Sequence, residues 1–270
     1  MKKLTDQAYW DSIYNKSGNS HFKGVLLNKL KHLMRNYANY LIWEKIFPKY
    51  FVALEDKKVI EIGCAPGKNL ISFSKIFHLK PYGVEYSAPG VKLTKETFKS
   101  NNLPEENIIE ADFFNDQFIL KFSRTFDIVY SKGFIEHFDN PKQVVARHGK
   151  LLKEDGLLII QIPNLSGLNF YLSRFFNIES HNLHNLSIMN YSSFKNLFSP
   201  VEYDILYCNY VGAFNIGLFN TKSTFKKRLH LLIYYLIQQP INFIFRVISH
   251  VYKFESRFTS PYLLMIAKIK

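Results

Sequence analysis

The chain has 270 residues, 47% hydrophobic and 16% aromatic, enough apolar material for one large buried core and too much for a disordered chain. Its 35 Lys and Arg against 22 Asp and Glu leave a net charge of +13, which favours anionic surfaces: phospholipid headgroups, nucleic acid or acidic substrates. Its two cysteines, Cys64 and Cys208, exclude a disulfide framework, and the first residues lack the apolar core of a signal peptide, so a reducing, cytoplasmic setting is expected.

Residues 1–24 are mixed and polar, with Tyr9 and Trp10 followed by Asp11 and Tyr14. Over 25–47, Leu26, Leu30, Leu33, Met34, Tyr37 and Leu41 recur at helical spacing, and Pro48 predicts the end of that helix. Val59 to Ile62 is a short apolar run. It turns through Gly63, Pro66 and Gly67 and enters a helical pattern at Asn69, Leu70, Ile71 and Phe73. Strand, glycine turn and helix in that order predict the first crossover of a doubly wound α/β sheet. Glycines there let the backbone pass close to a ligand, beside the free N–H groups of a helix start. Glu61 is placed at the strand's carboxyl end, facing the crevice where such sheets bind ligands. Cys64, within the turn, reads better as a small buried hydrophobe than as a nucleophile.

Alternation then continues. Strands are predicted near 58–62, 81–86, 107–111, 126–131 and 156–162, with helices near 68–78, 89–101 and 141–153, which implies a parallel sheet. Asn140 before Pro141 is a helix start, and Gly156 is read as the stop of that helix. Glu85 ends the second strand about twenty residues past the glycines, where a ribose-binding acid is expected. Asp112 follows the third. The fourth, Phe126 to Tyr130, leads into Ser131, Gly133, Glu136 and His137.

After the turn at Pro163–Gly167 comes an aromatic segment with His181 and His184, then a short helix near 191–198 and a strand over 202–210. The two histidines have no carboxylate or cysteine at metal spacing, so they are read as surface or pocket-lining and no metal ligand is assigned. Lys222, Lys226, Lys227 and Arg228 precede a run, Leu229 to Phe245, without Asp, Glu, Lys or Arg; Arg246, Lys253 and Arg257 follow. Pro240, after Gln238 and Gln239, is expected to break it into helices near 223–238 and 241–254. As one helix it would reach about 25 Å, short of a bilayer core of roughly 30 Å, so no transmembrane span is expected. The pair is either a packed helical hairpin or an interfacial device, with apolar faces in lipid and basic ends on anionic headgroups. Residues 261–270 predict a final strand.

These pieces together resemble a class I S-adenosylmethionine-dependent methyltransferase, most similar to the bacterial small-molecule group that includes quinone-biosynthesis methyltransferases. The matching residues are Glu61-x-Gly63-x-x-x-Gly67, Glu85, Ala111-Asp112-Phe113, Phe126–Val129, Glu136-His137 and Gly156–Ile160. The resemblance runs from about residue 54 to 163, and more weakly to the C-terminus; Ala65 and Pro66 depart from the usual middle glycine. It implies a Rossmann-like seven-stranded sheet with an antiparallel last strand. An N-terminal arm and helix would occupy 1–53, the core 54–220, a helical insertion 221–258 and the last core strand 259–270. It implies S-adenosylmethionine held by Glu61, Gly63, Cys64, Ala65, Gly67, Glu85, Tyr86, Asp112, Phe113, Ser131 and Gly133. In that scheme Glu61 orients the ammonium, Glu85 the ribose hydroxyls and Asp112 the adenine amine, with Phe113 beside the ring. His137 is the candidate base, equally able to pin its loop or to leave catalysis to proximity alone. A Tyr-Trp arm like that at residues 9 and 10 folds over the cofactor in similar enzymes.

The expected function is methyl transfer, at oxygen, to a small-molecule acceptor of hydrophobic or lipid-linked character, with an anionic membrane surface as a possible partner at the inner face. Three alternatives stay open: a nicotinamide dehydrogenase, whose tighter glycine fingerprint is missing; a nucleic-acid methyltransferase, without a base-flipping motif; and a non-catalytic membrane-associated binding protein on the same fold.

Overall fold

The computed structural model describes residues 2–17, 36–219, 221 and 223–270. The first part of the helix expected over 25–47 lies outside these residues. Seven strands form one sheet in the order β3-β2-β1-β4-β5-β7-β6. They are β1 Lys58–Ile62, β2 Lys80–Glu85, β3 Ile108–Glu110, β4 Phe126–Lys132, β5 Leu152–Pro163, β6 Tyr203–Val211 and β7 Tyr262–Ile269. The first five run parallel; β7 is antiparallel to both β5 and β6. The expected sheet is the one observed, including its antiparallel last strand.

The central strands are near-continuous apolar runs because helices cover both faces. Ile60 and Ile62 enter one core with Val129 and Ile160, while Val59 enters the other with Ile128, Tyr130, Phe73 and Phe47. Period-two alternation puts Glu61 on the same face as Val59. The chain turns to β2 on one side of β1 and to β4 on the other, so the carboxyl ends of β1 and β4 splay apart at a topological switch point.

Three local expectations are corrected. The helix expected to end at Pro48 runs on through 37–50, because residues Leu41–Ile46 form a wide π turn in which Phe47 N–H bonds Ile42 O. The wider turn relieves the clash a proline ring makes with the carbonyl four residues back. The same device lies before Pro240: Gln239 N–H bonds Tyr234 O, and Thr224–Ile248 is one continuous helix of 25 residues rather than a pair. It is long and apolar enough to cross a bilayer, by length and composition. Third, the helix from Pro141 stops at Gly149, and Gly156 sits inside β5. A Cβ there would stand 2.9 Å from Lys153 O and 3.2 Å from Asp127 O, so the glycine serves a crowded strand irregularity, next to Asp155 at φ +60°.

The helix Thr224–Ile248 sets Leu229, Ile233, Tyr234 and Phe245 against the body, yet its two most buried residues are polar and much of its apolar surface stays outside. Gln238 and Asn242 are 1% exposed, while Phe225, Leu236 and Phe243 are 71%, 67% and 58% exposed. Its inner face is held by hydrogen bonds: His230 Nε2 with Ile216 O at 2.8 Å, Ile216 N–H to Gln238 Oε1 at 2.7 Å, and Tyr37 N–H to Asn242 Oδ1 at 3.4 Å.

Candidate active site

Gly63 and Gly67 have φ of +70° and +85°, the left-handed region where a side chain is strained. They let the chain leave β1, drop Gly63 N–H and Cys64 N–H onto Val84 O, and open the helix Lys68–Phe77 at the crevice. Cys64 is buried, and its sulfur fills the space a Cβ on Gly83 would need; burial pushes its thiol well up. That is the packing role expected of it. Ala65 and Pro66 line the crevice beside it.

Glu61 is 3% exposed. One oxygen accepts from Asn69 Nδ2 at 2.6 Å; the other, Oε2, is buried without a partner. Burial raises its carboxyl to about 8, against the pull of the Asn69 bond and the Lys132 charge. An orphaned buried carboxylate oxygen beside a glycine turn fits an ammonium group. Glu85 accepts from Tyr86 N–H and Ser87 N–H, both at 2.9 Å through Oε1, which aims it across the end of β2. Burial raises it too. Asp112 caps its own turn through Phe114 N–H at 2.9 Å, and its other oxygen pairs with Lys3 at 2.9 Å.

Two cavities meet here. The larger, about 490 Å³, is lined by Glu61, Cys64, Ala65, Gly133 and Trp10, by apolar Ile162, Leu165, Leu218 and Phe219, and by polar Ser173, Asn177, Ser180, His181 and His184. The smaller, about 40 Å³, is lined by Glu85, Tyr86, Asp112 and Phe113 and roofed by Lys3. Gly63 and His137 border both. The expected residues thus divide along one cleft, Glu61, Cys64 and Ala65 at the larger space and Glu85, Tyr86, Asp112 and Phe113 at the smaller. Gly67 shapes the turn, and Ser131 lies fully buried under the site with an unpartnered Oγ; neither lines a cavity. The N-terminal arm does cover the cleft. Leu4 N–H bonds His137 O at 2.8 Å, and the Trp10 ring meets the His137 ring edge-on with centroids 5.4 Å apart.

His137 is buried, with Nδ1 2.9 Å from Leu183 O. Burial, and then the neighbouring His184, push it down to about 3. It is neutral near pH 7 and holds a proton poorly, which makes it a weak general base. Reading the sequence assigned no role to Asn69 and Lys3, which partner Glu61 and Asp112, or to Glu136 in the cleft; His181 and His184 do line the larger cavity, as pocket-lining histidines would. Glu136 was visible beside His137; His184 reaches it only through the fold.

The comparisons agree with this geometry. The family model described as "Methyltransferase domain" matches residues 31–207, well over half the chain. A ubiquinone biosynthesis O-methyltransferase of Glaesserella parasuis serovar 5 (strain SH0165) is 30% identical over 118 residues, 43% of this chain and 49% of that protein. A mitochondrial protein of the same description from Dictyostelium discoideum is 28% identical over 127 residues, 43% of this chain and 38% of that one. The match thus spans half or less of the curated relatives' length. Among solved structures, a SAM-dependent methyltransferase from Archaeoglobus fulgidus superposes with TM-score 0.54 at 17% identity, over 91% of this chain and 100% of that one. Geranyl diphosphate C-methyltransferase from Streptomyces coelicolor A3(2) gives 0.53 at 11%, over 82% and 73%. At such identities the likeness is one of fold. With that fold, a cleft whose residues fit S-adenosylmethionine, and a family model covering most of the sheet, the chain belongs to the methyltransferase-domain family.

Proposed function

We propose that this protein transfers a methyl group from S-adenosylmethionine to an oxygen of a small hydrophobic or lipid-linked acceptor, working at the anionic inner face of a membrane. The observation that carries the reading is the joined cleft. Carboxylates suited to an ammonium, a ribose and an adenine lie at the ends of β1, β2 and β3, and the larger cavity, bordered by Gly133 and His137, has apolar Ile162, Leu165, Leu218 and Phe219 in its wall. When bound, the cofactor supplies an electrophilic methyl on a sulfonium. Glu61 orients the ammonium, Glu85 the ribose and Asp112 the adenine, so that Gly133 and His137 face the reacting end. His137 offers a lone pair there rather than a store for the proton. The oxygen target follows the names of the curated relatives.

The membrane half rests on the apolar surface that the helix Thr224–Ile248 leaves exposed. Its buried face carries Gln238 and Asn242 and its exposed face Phe, Leu, Ile and Tyr, with Lys226, Lys227 and Arg228 near one end and Lys253 and Arg257 beyond the other. Such a face suits the boundary between headgroups and acyl chains. Polar bonds along its length to Ile216 and Tyr37 tie it sideways to the body, which favours lying on the surface over crossing it.

Two measurements test this. Incubation with S-adenosylmethionine and a lipid-soluble metabolite extract should yield one species heavier by a methyl; S-adenosylhomocysteine that fails to bind in calorimetry would sink the cofactor assignment. Flotation should recover the protein with acidic and not with neutral liposomes, released by salt and by alkaline carbonate. Replacing Phe225, Leu236 and Phe243 together by Ser should abolish flotation. Unchanged flotation, or a dimer split by the substitution, would refute the membrane role.

A further inference from the structure

We infer that Lys132 and Tyr262 form an anion subsite in the larger cavity, and that the methyl acceptor carries a carboxylate which binds there. Lys132 ends β4, Tyr262 opens β7, and both line that cavity. Lys132 Nζ stands over the Tyr262 ring, 5.4 Å from the centroid. A ring face steadies an ammonium without cancelling its charge. Among the described residues Lys132 makes no ion pair: Glu61 feels its charge, yet the hydrogen bond that Glu61 accepts comes from Asn69.

The amides behind Tyr262 fix it as a donor. Ile216 N–H donates to Gln238 Oε1 at 2.7 Å, which turns Gln238 Nε2 onto Asn215 Oδ1 at 3.2 Å. Gly217 N–H donates to the same Oδ1 at 3.0 Å, so the other end of the Asn215 amide is Nδ2, and it donates to Tyr262 Oη at 3.2 Å. A phenol that accepts still has its own hydrogen to give, and among the described residues that hydrogen meets no acceptor. Gln161 lies beside Lys132 in register and is 1% exposed; its Oε1 accepts from Tyr130 O–H at 3.2 Å, and its Nε2 has no partner. This corner therefore holds an ammonium and a hydroxyl proton with no acceptor between them, the complement of an anionic oxygen pair.

Its place in the sheet assigns the anion to the acceptor rather than to the cofactor. Strand order puts β7 three spacings from β1, about 14 Å at 4.7–4.9 Å each. The carboxylate of the cofactor's methionine hangs from the same carbon as the ammonium. With the ammonium at Glu61 it stays at the β1 end, where Lys68 and Asn69 line the cavity. Lys132 leans the other way, toward β7.

Apolar Pro163, Leu218 and Phe219 line the same cavity as this corner. One ammonium balances one charge, which favours a carboxylate over a phosphate dianion. The acceptor that fits is a hydrophobic carboxylic acid that also bears the hydroxyl to be methylated. The inference rests on the proposed methyl transfer in calling this ligand the acceptor; the anion subsite itself does not.

The test titrates the full chain, loaded with S-adenosylhomocysteine, with 3-hydroxydecanoate and with its uncharged amide. A pH of about 9 keeps Glu61 largely charged whether or not Lys132 is present. The carboxylate should bind roughly ten- to a hundredfold more tightly than the amide, the gain of a charge-assisted pair. Lys132→Met should bring the two probes within about threefold of each other, and Lys132→Arg should restore the preference. Tyr262→Phe, which keeps the ring and removes the donor, should lower the preference several-fold. Binding of S-adenosylhomocysteine reports that each variant is folded. Equal binding of the two probes by the unsubstituted chain, or a preference that survives Lys132→Met, overturns the subsite. Should Lys132→Met fail to fold, Tyr262→Phe decides, and an unchanged preference overturns it. If Lys132→Met weakens S-adenosylhomocysteine and spares the probes, Lys132 belongs to the cofactor's carboxylate and the proposal fails. S-adenosylhomocysteine that does not bind the unsubstituted chain defeats methyl transfer instead, and the two probes then test the subsite on the chain alone.

Discussion

Ligand affinity should report the charge state of Glu61. In the free protein burial holds its carboxyl at about 8, so at pH 7 only about a tenth of molecules carry the anion that an ammonium needs. Ionising it there costs about 1.4 kcal/mol, and about 2.7 kcal/mol at pH 6. The pairing oxygen, Oε2, has no competing partner to lose. Affinity for S-adenosylhomocysteine should therefore rise about fiftyfold between pH 6 and pH 8 and flatten beyond, the slope expected of one group that releases its proton on binding. Calorimetry in two buffers of different ionisation enthalpy measures that proton directly, close to one per ligand at pH 7. Glu61→Gln should bind more weakly at pH 8 and lose the slope; Glu136→Gln, which removes the other carboxyl near 8 in this cavity, should keep it. Flat affinity from pH 6 to 8, or a slope that survives Glu61→Gln, would refute the ammonium role.

Gly63→Ala should destabilise the fold by about 1–2 kcal/mol, the strain of a side chain at positive φ. Its Cβ would press on Phe134 at 3.0 Å, and both the loss in chemical denaturation and weaker ligand binding should be seen. Stability of the free protein should fall as pH rises from about 6.5 to 8.5, above the range in which His137 and His148, buried neutral and held down to about 3 and about 4, add stability with rising pH and offset the acids. Glu61 and Glu136 have folded-state values raised to about 8, so their protonated forms favour the fold at low pH, and that contribution is lost as pH climbs through 8. Thermal melts should show the fall, smaller in Glu61→Gln; a constant melting temperature would contradict the burial of these acids as charged-form penalties.

What was legible in the chain was the alternation. Val59 to Ile62 and Phe126 to Tyr130 are apolar on both faces, and only a covered parallel sheet uses such runs. Once β1 and its glycines were placed, Glu61, Glu85 and Asp112 fell at strand ends without further information. Three things were hidden, each for a physical reason. The turns before Pro48 and Pro240 widen to a five-residue hydrogen bond, which no side-chain pattern announces, so each proline was read as a stop. The direction of the helix Thr224–Ile248 depends on which side meets the body. By composition its apolar residues belong inside; Leu229, Ile233, Tyr234 and Phe245 do turn in, while the bonds of Gln238 and Asn242 fix a face that leaves Phe225, Leu236 and Phe243 out. His184 was legible as a pocket-lining residue, but its place beside His137, ring centroids 4.7 Å apart, comes from tertiary contact alone.

Lys3 should compete with the cofactor. As it stands the cavity beside Asp112 is small, about 40 Å³ against about 490 Å³ for the space next to it, and Lys3 stands in its wall. An adenine amine that reaches for Asp112 meets Lys3 already paired with it. The N-terminal arm is held by Leu4 N–H on His137 O, Asp139 N–H on Lys2 O, and the pair between Lys3 Nζ and Asp112 at 2.9 Å, with Lys3 also over the Tyr86 and Phe114 rings at 5.3 Å. Both charged groups of the pair are over a third exposed, so solvent screens it and its worth is about 0.5–1 kcal/mol. Lys3 holds the carboxylate that the adenine amine would use. Lys3→Ala should thus tighten S-adenosylhomocysteine binding about two- to fivefold, the same energy returned to the ligand. The gain should shrink at high salt, where the pair is already weakened. Calorimetry at two ionic strengths decides it. If Lys3→Ala instead weakens binding, Lys3 belongs to the closed complex as part of the adenine site, and the arm shuts over the ligand with that contact kept.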